Sequence, residues 1–112
     1  MAKYTIMLNC AAGMSTSLLV TKMQASAQAQ GIDVDIFATG ASEVSQQLAQ
    51  QTIDCVLLGP QVRYMEADFK QLLANEKNSL GNPIPLAVID MQAYGMMNGE
   101  AVLKQALSLI EA

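Results

Sequence analysis

Apolar positions along the chain follow two periods, and the change from one to the other recurs four times. Short runs with strand character are Tyr4–Asn9 (YTIMLN), Ile32–Phe37 (IDVDIF), Asp54–Leu58 (DCVLL) and Leu86–Asp90 (LAVID). After the first run, Leu19, Met23 and Ala27 recur at a spacing of four, which predicts a helix from about Ser15 to Gln30 with Gly31 as its stop. A shorter helix, N-capped by Ser42 and ending near Gln51, turns Val44 and Leu48 inward. Pro60 opens a third, at a position where its missing N–H has no helical partner to lose. The inward face of that helix reads Val62, Met65, Phe69 and Leu72 or Leu73. Asn75–Pro85 is a loop rich in Asn, Gly and Pro, and Met91–Asn98 reads as a turn. A last helix over Gly99–Ile110 buries Leu103, Ala106 or Leu107, and Ile110.

Repeated strand–helix units of this length predict an α/β fold, an open four-stranded parallel sheet with helices on both faces. Right-handed crossovers make 2-1-3-4 the natural strand order. The second run alternates Ile32, Val34 and Ile36 with Asp33 and Asp35, as an edge strand does, whereas DCVLL is apolar after its first residue, as a central strand is. In this order the helices after strands 1 and 3 lie on opposite faces. The crevice between the carboxyl ends of those strands is then the topological switch point, where ligands bind in open α/β sheets. The turn Gly59-Pro60-Gln61 falls beside the loop that follows Asn9.

Composition narrows the chemistry. The 112 residues fit a single domain over residues 1–112, with no internal repeat or linker, and 52% are hydrophobic against 14% charged. A net charge of −4 with no basic stripe argues against nucleic acid as the partner. No apolar run approaches the roughly 20 residues of a membrane span, so no direct membrane insertion is expected. No secretory signal precedes the first strand, so the expected location is cytoplasmic, where thiols stay reduced. There are two cysteines and no histidine, which excludes Cys-His zinc sites and Cys-His or Ser-His catalytic pairs within the chain. No metal or cofactor is expected.

At the switch point stands LNCAAGMSTSLLV, residues 8–20. Cys10 leaves the end of a buried strand. Small residues at Ala11, Ala12 and Gly13 let backbone amides face one concavity. Beyond them Met14, Ser15, Thr16 and Ser17 enter a helix whose free N–H groups and positive dipole end favour an anion. The hydroxyls can cap the helix or donate to that anion. The same field favours the Cys10 thiolate, below the ~8.5 of an ordinary thiol. The loop thus offers both a nucleophile and a cradle for a phosphoryl group. The bland alternative, a small buried hydrophobe ending a strand, fits Cys55 inside CVLLG better than it fits Cys10. A Cys10–Cys55 disulfide is not expected, since one ends its strand and the other begins a neighbouring one.

The layout resembles low-molecular-weight tyrosine phosphatases and the arsenate reductases of that fold, whose loop reads Cys-x5-Arg-Ser/Thr. Counted from Cys10, the arginine position holds Thr16 and the next holds Ser17. The guanidinium that would clamp a transferring phosphoryl group is missing. A cysteine phosphatase or arsenate-reductase-like enzyme is therefore the alternative reading, and a non-catalytic anion-binding module a third.

A more specific resemblance rests on CAAGMSTSLLVTKM at 10–23, DCVLLGPQVRYM at 54–65 and IDMQAYGMMNGEAVLKQAL at 89–107. In these stretches the chain is similar to the IIB components of the lactose/cellobiose (diacetylchitobiose) family of the bacterial phosphotransferase system. The resemblance implies that Cys10 takes a phosphoryl group from a phosphohistidine on a IIA protein. It would pass that group to cellobiose, diacetylchitobiose, lactose or a related sugar held by the membrane IIC component. The free chain is expected to be a monomer.

Around the loop, Gly59, Pro60 and Gln61 read either as a second wall with Gln61 near the phosphate or as a plain strand-to-helix turn. Tyr94 either approaches Cys10 or packs. Met7, Met23 and Met65 read as core. Met14, Met96 and Met97 fall at the active edge, where adaptable apolar contacts suit docking of two different partners. Arg63 and Lys22 read as solvated helix residues or as attraction for phosphate.

Overall fold

The structure is a computed structural model that describes residues 4–9, 14–40 and 43–111; for Met14, Ser15, Thr16 and Gln61 it describes the backbone alone. Strands β1 (Tyr4–Asn9), β2 (Val34–Thr39), β3 (Cys55–Leu58) and β4 (Leu86–Val88) form one sheet in the order β2-β1-β3-β4. All three pairings are parallel. This is the predicted architecture, with both expected edge and central strands in place.

Successive side chains of a strand point to opposite faces, and β1 divides the core accordingly. Ile6 and Leu8 face helices α1 (Met14–Gln30) and α5 (Gly99–Ile110), packing with Leu19, Met23, Leu57, Val102 and Leu103. Met7 faces the other way, against Val44 of α2 (Val44–Gln50) and Phe69 of α3 (Glu66–Leu73). Phe69 is fully buried there, worth roughly 2–3 kcal/mol of hydrophobic stabilisation. Leu19, Met23 and Ala27 are buried as their spacing predicts. Of the paired alternatives, Leu73 and Ala106 are buried, whereas Leu72 is exposed and Leu107 half-buried. Val102 is also fully buried.

Helix boundaries depart from the pattern where hydrogen bonds overrule it. α1 ends in a left-handed Gly31 (φ +71°), whose N–H bonds to Gln28 while Ile32 N–H bonds to Ala27. This double cap consumes residues 31 and 32. Strand pairing therefore starts only at Tyr4 opposite Val34, two residues later than predicted, and β2 runs on to Thr39. At α2 the cap position is held by Glu43, which makes no capping bond, and the predicted cap Ser42 lies outside the described residues. The third helix starts as a 3₁₀ segment over Pro60–Met65, with Val62 out of helical geometry (φ −115°, ψ 19°), before α3 proper. That tighter turn buries Val62 and leaves Arg63 and Tyr64 outside. The predicted 91–98 turn contains a short helix, α4 (Met91–Gly95), because Asp90 caps it by accepting from Ala93 N–H at 3.0 Å. β4 accordingly stops at Val88.

Two glutamines seal the sheet edges. Gln24 of α1 donates to the Ile36 carbonyl at 2.9 Å, and Gln105 of α5 donates to that of Val88 at 3.1 Å. At the amino end, Asp54 precedes β3 instead of starting it. Its carboxylate accepts from Thr5 N–H at 2.8 Å, Ser79 N–H at 2.8 Å and the Ser79 hydroxyl at 2.5 Å. The 75–85 loop is thereby fastened to β1. Among the described residues no helix is long and apolar enough to cross a membrane.

Candidate functional site

β1 and β3 end side by side, with Asn9 in register with Leu58. Gly59 N–H donates to the Asn9 carbonyl at 2.8 Å, so the turn after β3 is tied to the residue before Cys10. Gly59 is buried and extended (φ −62°, ψ 150°), and Pro60 follows at the first position of the 3₁₀ segment. The backbone thus brings the 59–61 turn against the end of β1, where the switch-point argument puts it.

On the opposite face α1 begins at Met14, one residue ahead of the predicted start. Only residues 10–13 separate it from β1, so a group on Cys10 starts within a few residues of the helix's unpaired amides. The 17 residues of α1 align their peptide dipoles with the positive end toward that loop. Cys10, Ala11, Ala12 and Gly13 lie outside the described residues. Ser17 is exposed on the first turns of α1, and its carbonyl accepts from the Thr21 hydroxyl at 3.2 Å.

Tyr94 is buried within the α1/α5 core cluster, the packing position. Its backbone participates in the end of α4: Met97 N–H bonds to the Tyr94 carbonyl and Asn98 N–H to that of Ala93. Met97 closes this cap in the left-handed region (φ 52°), a place that normally suits glycine. Its side chain packs against the core, while Met96 stays exposed. Arg63 and Lys22 are both exposed.

Cys55 is a free, fully buried thiol in β3. Burial, with a smaller push from the Asp54 carboxylate, raises its pKa to about 12. It stays protonated and inert at neutral pH.

One residue escaped the sequence reading. Asn9 is fully buried, and among the described residues neither its Oδ1 nor its Nδ2 has a hydrogen-bond partner. The signal was a lone amide ending an otherwise apolar strand, YTIMLN.

Comparison with known proteins places this geometry. Residues 5–105 match the model of the family described as the lactose/cellobiose-specific IIB subunit of the phosphotransferase system (PTS). The chain belongs to this family. As a IIB component it is a phosphotransferase, and the system it serves contains IIA and IIC partners.

Similar proteins include the galactose-specific IIB component of Lactococcus lactis subsp. cremoris, 44% identical over 98% of this chain and 99% of that protein. The cellobiose-specific IIB component of Lactococcus lactis subsp. lactis is also 44% identical, with the same coverage. The oligo-beta-mannoside-specific component of Bacillus subtilis is 42% identical over 94% of each chain. Among solved structures, the cellobiose-specific IIB protein of Borrelia burgdorferi is 32% identical and superposes with a TM-score of 0.73 over 96% of this chain and 92% of that one. The lactose-specific IIB domain of Streptococcus pneumoniae, at 17% identity, a TM-score of 0.77 and coverage of 95% and 96%, shares the fold.

Proposed function

We propose that this IIB chain is a phosphoryl carrier with Cys10 as the carrying residue, acting as one domain over residues 1–112 in the cytoplasm. The observation that carries the reading is the meeting of three features at the switch point. They are the end of β1 at Asn9, the Gly59–Pro60 turn bonded to it, and the start of α1 at Met14. A thiolate on residue 10 attacks the phosphorus of a phosphohistidine on IIA. The N–P bond breaks, the imidazole leaves and an S–P bond forms. In the second step a sugar hydroxyl held by IIC attacks, loses its proton and forms an O–P bond as the thiolate departs. The chain contains no histidine, so the donor imidazole has to come from the partner.

Amides of residues 11–17, with the hydroxyls of Ser15, Thr16 and Ser17, are the proposed cradle. Gly59, Pro60 and Gln61 form its second wall. The sugar is of the β-glucoside type, such as cellobiose or diacetylchitobiose, or the β-galactoside lactose, in keeping with the cellobiose and galactose specificities named for two relatives. Tyr64, Met91 and Met96 are exposed on segments that leave the carboxyl ends of β3 and β4, a surface suited to docking IIA and IIC in turn.

Storage is favoured over hydrolysis because Thr16 stands where a phosphatase has its arginine. After incubation with phosphorylated IIA, intact mass should show one added phosphoryl group on wild type and Cys55→Ser, and none on folded Cys10→Ser. Hydrolysis of para-nitrophenyl phosphate should stay near background. Robust turnover of that ester would favour the phosphatase instead.

A further inference from the structure

We infer that Asn9 is a phosphoryl-binding residue, whose buried carboxamide donates a hydrogen bond to the phosphoryl group once Cys10 carries it. The inference rests on the carrier reading above and adds a residue to it. Asn9 is fully buried, and both its polar atoms lack partners among the described residues. A buried amide without partners is costly relative to one that is bonded. Native structures leave few such groups, and those few call for a reason.

Its neighbours among the described residues leave its donor uncommitted. By the alternation of β1, Asn9 projects on the Met7 side of the sheet, toward the cluster that holds Leu58 and Val62. Thr39, opposite it on β2, directs its hydroxyl to Glu43 Oε2 at 3.3 Å. Leu58, opposite it on β3, is apolar. An apolar side chain of the same size would fill this place without desolvating an amide. Among the described residues the packing therefore gives no structural reason for asparagine, whereas its sequence position does. Asn9 immediately precedes residue 10, and consecutive Cα atoms lie about 3.8 Å apart. A phosphoryl dianion is a strong acceptor, and a donor shielded from water is worth most to a charge that appears beside it.

The decisive comparison is of stability with phosphorylation in Asn9→Leu and Asn9→Asp. Leu keeps the shape and removes the unbonded amide, so Asn9→Leu should melt at the same temperature or higher. Its phosphorylation equilibrium against IIA should nonetheless fall about tenfold, the scale of one hydrogen bond to a charged group. Asn9→Asp removes the donor and adds like charge, and its equilibrium should fall further. In wild type the Asn9 Nδ2 amide resonances should shift on phosphorylation. A structural residue would move stability and phosphorylation together. An unchanged equilibrium in Asn9→Leu, or a lower melting temperature, overturns the inference while leaving the carrier reading intact. Failure of the wild type itself to take phosphate on Cys10 overturns both.

Discussion

Asn9 and Asp54 are the two least exposed polar side chains among the described residues, and they stand at opposite ends of the sheet. Asp54, at the amino end, accepts three hydrogen bonds and ties the 75–85 loop to β1. Asn9, at the carboxyl end, makes none with its side chain among the described residues. The amino end has used its buried polar group to hold the fold together. The carboxyl end keeps its own in reserve, beside the residue proposed to carry the phosphoryl group. Stability and the proposed chemistry are thus allotted to different ends of the same strands, the usual arrangement in open α/β sheets.

Substitution at the amino end should alter stability and spare phosphorylation. Asp54→Ala, which leaves the Thr5 and Ser79 donors without their acceptor, should lower unfolding free energy by about 3 kcal/mol. Urea denaturation would measure it, with phosphorylation by IIA unchanged in the folded fraction; loss of phosphorylation at full stability would break the division. Gly31→Ala is a milder case at the same end. No atom lies within 4 Å of the added methyl, so only the left-handed backbone resists it, at about 1 kcal/mol. A cost well above that would mean the α1 cap does more than turn the chain.

A pH dependence comes from Cys55. Its pKa is raised by burial from 9.0 to about 12. Above pH 9 the unfolded chain therefore loses this proton while the folded chain keeps it. The stability from the buried neutral thiol is complete below pH 9 and declines as pH rises toward 12. Cys55→Ala should flatten that part of the stability–pH curve. A slope that persists unchanged would assign it to other groups.

Periodicity made the sheet order, the two-faced core and the switch point legible. Strand length and helical spacing carry that information locally, as Leu19, Met23 and Ala27 show. What stayed hidden depends on partners distant in sequence. The start of β2 was obscured because Ile32 looks like strand, but its N–H is taken by the α1 cap. α4 was missed because a five-residue helix shows little period, and its decisive feature is a single Asp90 cap. Asp54 looked like the first residue of a strand because its donors are 25 and 49 positions away. The position of the Gly59–Pro60 turn beside the end of β1 could be read from strand order. Asn9 could not, since its significance lies in bonds that its described neighbours do not make.

Native-state alkylation compares the two thiols of one molecule and needs no partner protein. With iodoacetamide at neutral pH, followed by peptide mapping, Cys10 should be modified well before Cys55, and sulfate or phosphate should slow that reaction. Denaturation should bring the two rates together. Equal rates at Cys10 and Cys55 in the folded protein would contradict an activated thiol at the carboxyl end of β1, and with it the carrier assignment.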